Sequence, residues 1–309
     1  VRRVLVTGGA GFVGRPAVAA LAARGFEVHA VGRRAPEGVH VFHPADLLDA
    51  QARRAAVRAA GAGHLLHLAW VTEPGRYWQA PENLDWTAAS LDLVRGFREA
   101  GGTRAVVAGT CAEYDWTGIA PLSRAEGAGI HRGHLSESAP CRPATLYGAA
   151  KDGLRRVLTG YAASTGLSLA WGRLFYLYGP GEAPGRLVGD AARALLDGRR
   201  FATSEGRQRR DFLHVMDAGD AFAALLDSAV EGPVNIGSGA SVPVRTLLET
   251  LGRLTGRPDL IDFGARPLPP TEPACIEADI RRLTGEVGFH PHLDLDEGLR
   301  ATLAAYAAR

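Results

Sequence analysis

The chain has 309 residues, 46% apolar and 22% charged, with a net charge of +2, which suits one large globular domain or two closely joined ones. So balanced a charge gives a nucleic-acid partner no electrostatic footprint, and no apolar run reaches the length of a membrane span, so neither partner is expected. Cys111, Cys141 and Cys275 are widely separated, and the pairs His40/His43, His131/His134 and His290/His292 lack the acid or cysteine that would complete a ligand set. The expectations are therefore no metal, no disulfide, surface or loop histidines and a reducing cytoplasm.

From the N-terminus, short β runs alternate with helical stretches. Val4-Leu5-Val6 predicts a buried strand with no segment before it. The next stretch, Thr7 to Gly14, spaces Gly8, Gly11 and Gly14 three apart and opens an alanine-rich helix over Val13 to Ala23. Glycine between strand and helix permits a tight turn and close approach of backbone N–H groups to a pyrophosphate, with Phe12 and Val13 flanking it. A second strand, Val28 to Val31, ends at Gly32-Arg33-Arg34. A carboxylate there would bind a ribose 2′-hydroxyl, whereas paired guanidiniums suit a 2′-phosphate. NADP(H) is favoured on this ground, with NAD(H) as the alternative.

A third strand spans His64 to Leu68, a helix Asn83 to Glu99, and a fourth strand Ala105 to Ala108. A helix follows from Leu146 through Tyr161, then a fifth strand from Leu167 to Arg173. Such alternation, with strands apolar throughout, predicts an α/β fold: a Rossmann-type doubly wound parallel sheet. After Arg173 glycine and proline become frequent, and Val234-Asn235-Ile236 reads as a late return to the sheet. The expected division is a dinucleotide-binding domain over 1–174, with a returning segment near 209–237. A smaller C-terminal substrate-binding lobe takes 175–208 and 238–309, and the last forty residues are read as mostly short helices.

Lys151 is the only lysine in the chain. It lies four residues after Tyr147, so both side chains share one face of the predicted helix. A nearby ammonium stabilises a phenolate and lowers the phenol's pKa, so that the tyrosine can exchange a proton with a carbonyl oxygen. Thr110, just past the fourth strand, is placed where open parallel sheets bind ligands and can donate to the same oxygen.

With these motifs the chain resembles the extended short-chain dehydrogenases/reductases of the NAD(P)-dependent nucleotide-sugar epimerase/dehydratase group, over nearly its whole length. Leu68-Ala69, Asp46-Leu47, the run from Arg173 to Gly181, Gly206 to Asp217 and Asn235-Ile236-Gly237 carry the likeness further. The resemblance implies that Thr110, Tyr147 and Lys151 are catalytic and that Asp46 and Leu47 lie by the adenine. It also implies that Arg210 and Arg266 contact the diphosphate of a nucleotide sugar, and that the enzyme is a homodimer. For Arg210 an ion pair with Asp211 or Asp217 is the structural alternative.

Departures from the family narrow the expected chemistry. The 4,6-dehydratases carry Thr-Asp-Glu where this chain has Thr110-Cys111-Ala112, and sugar-acid decarboxylases place a glutamate at Ala112. Tyr176 replaces the usual asparagine. Glu113-Tyr114 resembles a pair found in 4-keto-6-deoxy-sugar reductases and abequose-type CDP-sugar synthases, closest to the NDP-4-keto-6-deoxyhexose reductases. Trp70, Cys111, Glu113 and Tyr176 are thus candidate substrate contacts. Trp70, Tyr77, Trp78 and Trp116 are read evenly as sugar cover or core, and His67 as packing. The long stretch from Asp115 to Ser136 is a candidate lid or specificity loop. The leading expectation is NADPH-dependent reduction of the C4 ketone of a nucleotide-linked 4-keto-6-deoxyhexose. The runner-up is a 4-epimerase with tightly bound NAD. A non-catalytic NADP-sensing regulator is the alternative of another class, disfavoured because a sensor has no need of Thr110, Tyr147 and Lys151.

Overall fold

The structure, a computed structural model, describes residues 2–119 and 134–308. In chain order, β1 (Arg2–Thr7), α1 (Gly14–Ala23), β2 (Phe26–Gly32), β3 (Val41–Pro44), α2 (Ala50–Ala60), β4 (His64–His67), α3 (Glu82–Glu99) and β5 (Arg104–Thr110) build the first half. Then come β6 (His134–Leu135), α4 (Leu146–Thr165), β7 (Ser168–Leu174), β8 (Tyr176–Tyr178), α5 (Leu187–Leu196), β9 (Phe201–Ala202), β10 (Arg209–His214) and α6 (Val215–Asp227). Last are β11 (Gly232–Ile236), β12 (Ser241–Pro243), α7 (Val244–Thr255), β13 (Ile261–Asp262), β14 (Cys275–Ala278), α8 (Arg281–Gly285) and α9 (Leu295–Ala307).

Seven parallel strands form the main sheet in the order β11-β7-β5-β4-β1-β2-β3. Alternate residues of each strand serve opposite faces. Val4, Val6, Leu66, Val106, Ala170 and Val234 pack toward α1 and α6. Leu5, Leu65, Val107, Leu169 and Trp171 pack toward α2, α3 and α4. Burial on both faces is why these strands read as unbroken apolar runs. Strand order reverses between β1 and β4, which opens a crevice at their carboxyl ends, the place where such sheets take ligands.

The elements around this crevice are fixed by local chemistry. Asp49 caps α2 by accepting from Ala52 N, and Gly61 ends it in the left-handed conformation. Thr145 caps α4 by accepting from Gly148 N, and Gly166 ends it in the same way. These side-chain oxygens satisfy N–H groups that have no intrahelical partner.

A second sheet runs β12-β10-β14-β6, with β8 paired to β10. Its neighbours α5, α7 and α9 share a core of Leu195, Leu247, Leu251 and Leu299. β11 returns to the main sheet beside β7, where the sequence placed Val234-Asn235-Ile236. β10 does not: it stays in the second sheet. β6 also pairs there, with β14, although it lies within the stretch assigned to the dinucleotide-binding half. A two-residue strand joining a partner about 140 positions away leaves no local pattern to read. The C-terminal stretch keeps one strand and a full-length helix, α9, among its shorter pieces. No described helix is long and apolar enough to cross a membrane.

Candidate active site

Gly8 has φ 70°, and a Cβ there would stand 2.8 Å from Ala69 N. Both the conformation and the close approach require glycine. Leu68 N donates to Thr7 O at 3.2 Å and Ala69 N to Thr7 Oγ1 at 3.2 Å, which brings Leu68-Ala69 against the turn. Gly11 N closes the turn on Gly8 O at 2.9 Å. A Cβ on Gly14 would collide with the Gly8 carbonyl. α1 then opens at Val13, after Phe12, with no side-chain cap; Arg15 N donates to Gly11 O at 3.2 Å and Pro16 has no N–H, so Gly14 N is the first-turn donor left for an anion. These residues fit a dinucleotide diphosphate.

Arg33 and Arg34 are both exposed beyond the end of β2. Asp46 is exposed, with Oδ1 accepting from Leu48 N at 3.0 Å, and Leu47 is buried beside it. His43 departs from the expectation of a surface histidine: it is half-buried on β3 with Nε2 3.0 Å from His29 Nδ1. His40, His134, His290 and His292 are exposed, and His131 lies outside the described residues. Among the described residues no cluster is suited to hold a metal.

Thr110, Tyr147 and Lys151 meet at the carboxyl end of β5. Gly148 makes this possible, because a Cβ there would run into the Ala112 carbonyl. The start of α4 therefore sits directly on the turn after β5. Tyr147 N donates to Trp78 O at 3.1 Å. The Tyr77 ring meets the Tyr147 ring edge-on at 4.9 Å, and Trp78 does so at 5.9 Å. Burial, with Tyr77 second, pushes the Tyr147 phenol up from its ordinary value, and the Thr110 side chain beside it pulls the other way.

Lys151 is 3% exposed. Its Nζ donates to Ala108 O at 2.9 Å and lies 3.7 Å from the centre of the Trp70 ring. Burial pushes the ammonium down to about 7, opposed by the charge of Glu113. The ammonium is thus engaged by a carbonyl and an indole face rather than by the phenol, and the lowering of Tyr147 expected from the sequence is not what this arrangement produces. His67 is packing, as expected: its ring nitrogens meet Thr7 Oγ1 at 2.6 Å and Ser90 Oγ at 2.8 Å. Burial holds it neutral, down to about 3.

The substrate-side candidates divide. Glu113 is fully buried and serves the protein itself. Its Oε1 accepts from Thr110 N at 2.8 Å and Trp171 Nε1 at 2.9 Å, and its Oε2 from Arg173 Nε at 2.7 Å. A carboxylate so enclosed touches no ligand, which corrects its reading as a substrate contact. Tyr114 joins the same network, donating to Asn235 Oδ1 at 2.6 Å and accepting from Arg173 at 3.0 Å. Cys111 is buried, its thiol pushed up to about 12 by burial, so it is no nucleophile.

Arg210 pairs with neither Asp211 nor Asp217 but with Glu272, and donates to Arg209 O at 2.7 Å and Pro273 O at 2.9 Å. Its guanidinium lies 5.5 Å from the Tyr176 ring. Arg266 stands exposed on the loop after β13, its N–H donating to Thr203 O at 3.0 Å. Trp116 is half-buried and donates to Cys111 O at 3.1 Å. Of the expected lid, Asp115 to Ser136, the part 120–133 lies outside the described residues.

Asn83 is a residue that sequence reasoning missed. It is fully buried, accepts from Trp70 Nε1 at 2.8 Å and donates to Tyr77 O and Ala80 O, each at 2.8 Å. An asparagine near a helix start reads as an ordinary capping residue, so nothing local marks it.

Comparison with known proteins gives the same architecture. The model of the NAD dependent epimerase/dehydratase family matches residues 4–237. The UDP-glucose 4-epimerase of Streptomyces lividans is 30% identical, over 94% of this chain and 91% of that one. The UDP-glucose 4-epimerase of Thermus thermophilus, solved in complex with NAD, superposes with a TM-score of 0.84 at 27% identity, covering 99% of both chains. MoeE5 in complex with UDP-glucose and NAD gives 0.82 at 28% identity, again over 99% of both. With the doubly wound sheet and the glycine turn at its switch point, this match over most of its length shows that the chain belongs to the NAD dependent epimerase/dehydratase family, and is an enzyme of the extended short-chain dehydrogenase/reductase type.

Proposed function

We propose that the chain is a nucleotide-sugar 4-epimerase working with a retained NAD. The observation that carries the reading is the meeting of Thr110, Tyr147 and Lys151 at the carboxyl end of β5, beside the switch-point crevice. Full-length likeness to UDP-glucose 4-epimerases supports the 4-epimerase outcome over the ketoreductase first expected from the sequence.

The glycine turn and the α1 N-terminus would hold the diphosphate of the dinucleotide, and Leu68, Ala69, Asp46 and Leu47 would complete its site. Bound there, the nicotinamide supplies reversible hydride transfer at C4. Tyr147 exchanges the proton of the C4 oxygen, and Thr110 donates to that oxygen. A phenol raised by burial holds its proton at neutral pH, which suits the half-reaction in which a ketone is reduced. The opposite half-reaction needs positive charge near the phenol, and Lys151 is the cation on that face of α4. Arg210 anchors the sugar nucleotide's diphosphate once Glu272 yields its place. Arg266, exposed on the loop after β13, is a second candidate for that role.

A second reading, NADPH-dependent reduction of a 4-keto-6-deoxy sugar nucleotide, rests on Arg33 and Arg34, which stand exposed where a carboxylate would select NAD. The purified protein should release NAD on denaturation. It should also interconvert UDP-glucose and UDP-galactose with no net change in nicotinamide absorbance. A product two hydrogens heavier from a 4-keto-6-deoxy substrate, with NADPH consumed, establishes the reductase instead.

A further inference from the structure

We propose that Trp70 is a positioning residue that holds the Lys151 ammonium at the catalytic cluster through the face of its indole ring. The inference rests on the reading of Lys151 as part of the site. The geometry is specific. Lys151 Nζ sits 3.7 Å from the Trp70 ring centre, with Ala108 O as its hydrogen-bond acceptor at 2.9 Å. An aromatic face attracts a cation electrostatically, and more so where water is excluded.

The indole is itself locked. Trp70 Nε1 donates to the fully buried Asn83 at 2.8 Å, and the Asn83 amide donates to Tyr77 O and Ala80 O. Tyr77 in turn packs edge-on against Tyr147. One buried amide therefore sets both the platform under the lysine and the ring against the tyrosine.

The other groups facing the ammonium do not replace this platform. From β4, His67 is neutral, with both nitrogens engaged by Thr7 and Ser90. From the turn after β5, Glu113 favours the charge but makes its hydrogen bonds to Thr110, Trp171 and Arg173. On α4, Asp152 is taken by Arg155 and Arg156. Tyr147 and Cys111 are both pushed toward their neutral forms by burial. The indole face and one carbonyl are what remain to stabilise the cation directly.

Because Lys151 is the only lysine, incorporating 13C-lysine gives the whole protein a single side-chain signal. In the wild type the Cε protons should be displaced upfield by the indole ring current, and a shift equal to that of a free lysine peptide overturns the proposal whatever any variant does. Trp70→Leu keeps apolar bulk but removes the π face. The titration midpoint of the labelled lysine should fall by about 0.5–1.5 pH units, with Trp70→Phe in between. The alkaline limb of kcat/KM should move by the same amount. An unchanged or raised midpoint in folded Trp70→Leu also overturns it, since the ring would then only fill space or exclude water. The titration needs no substrate, so a failure of the epimerase reading shows as absent turnover with the lysine response intact.

Discussion

Tyr147 is the residue on which the proposed chemistry turns. Tyr147→Phe should lower turnover by about 10²–10⁴-fold while leaving dinucleotide binding unchanged, measured by steady-state kinetics and calorimetry. Activity within a few-fold of wild type would remove the phenol from proton transfer. Lys151 carries a second, thermodynamic signature. Its folded pKa, about 7, lies below the ordinary lysine value of 10.5. Below pH 7 both folded and unfolded chains hold the proton, and the cost of burying the charge is present in full. Between about 7 and 10.5 the unfolded chain binds more protons, so stability rises with pH across that window. Lys151→Met should therefore be more stable than wild type at pH 6 by about 2–4 kcal/mol in chemical denaturation, with the advantage shrinking toward pH 10. A constant difference across that range contradicts the burial of a charged lysine. The residue types at positions 110, 147 and 151 were legible in the sequence, since motif spacing survives without coordinates. The partners of Lys151 were not, because Ala108 and Trp70 lie far from it along the chain.

At the scale of elements, α4 must land on the turn after β5 for the site to exist. Gly148 permits that contact. Gly148→Ala should displace the start of α4 and lower kcat by about 10²-fold while the fold persists, read by kinetics alongside circular dichroism. The β5–β7 junction is held by the enclosed Glu113–Arg173 pair, whose side chains are 0% and 1% exposed. Removing one partner of a buried pair strands the other charge. Arg173→Met should cost about 3–5 kcal/mol in denaturant unfolding. A change under about 1 kcal/mol would mean the pair is not needed to hold this junction. In sequence, Glu113-Tyr114 looked like a specificity signature beside the catalytic threonine. Only the packing of β5 against β7 turns that carboxylate inward, toward Trp171 and Arg173.

For the molecule as a whole, dinucleotide binding at the switch point should couple to global stability by mass action. For protein stripped of its dinucleotide, NAD at about 100 times its dissociation constant should add about 2.7 kcal/mol, raising the melting temperature by roughly 5 °C, with a smaller effect from NADP at equal concentration. A larger response to NADP would favour the reductase reading. The sequence by itself determined the parallel α/β sheet, the glycine turn and the residue types at Thr110, Tyr147 and Lys151. Those depend on periodicity and short spacings, which are written locally along the chain. The tertiary structure decided which charges meet. It gave Arg210 to Glu272, Glu113 to Arg173, and the lone ammonium to an indole face, because such pairings join segments far apart in sequence and are fixed by burial, which no local pattern encodes.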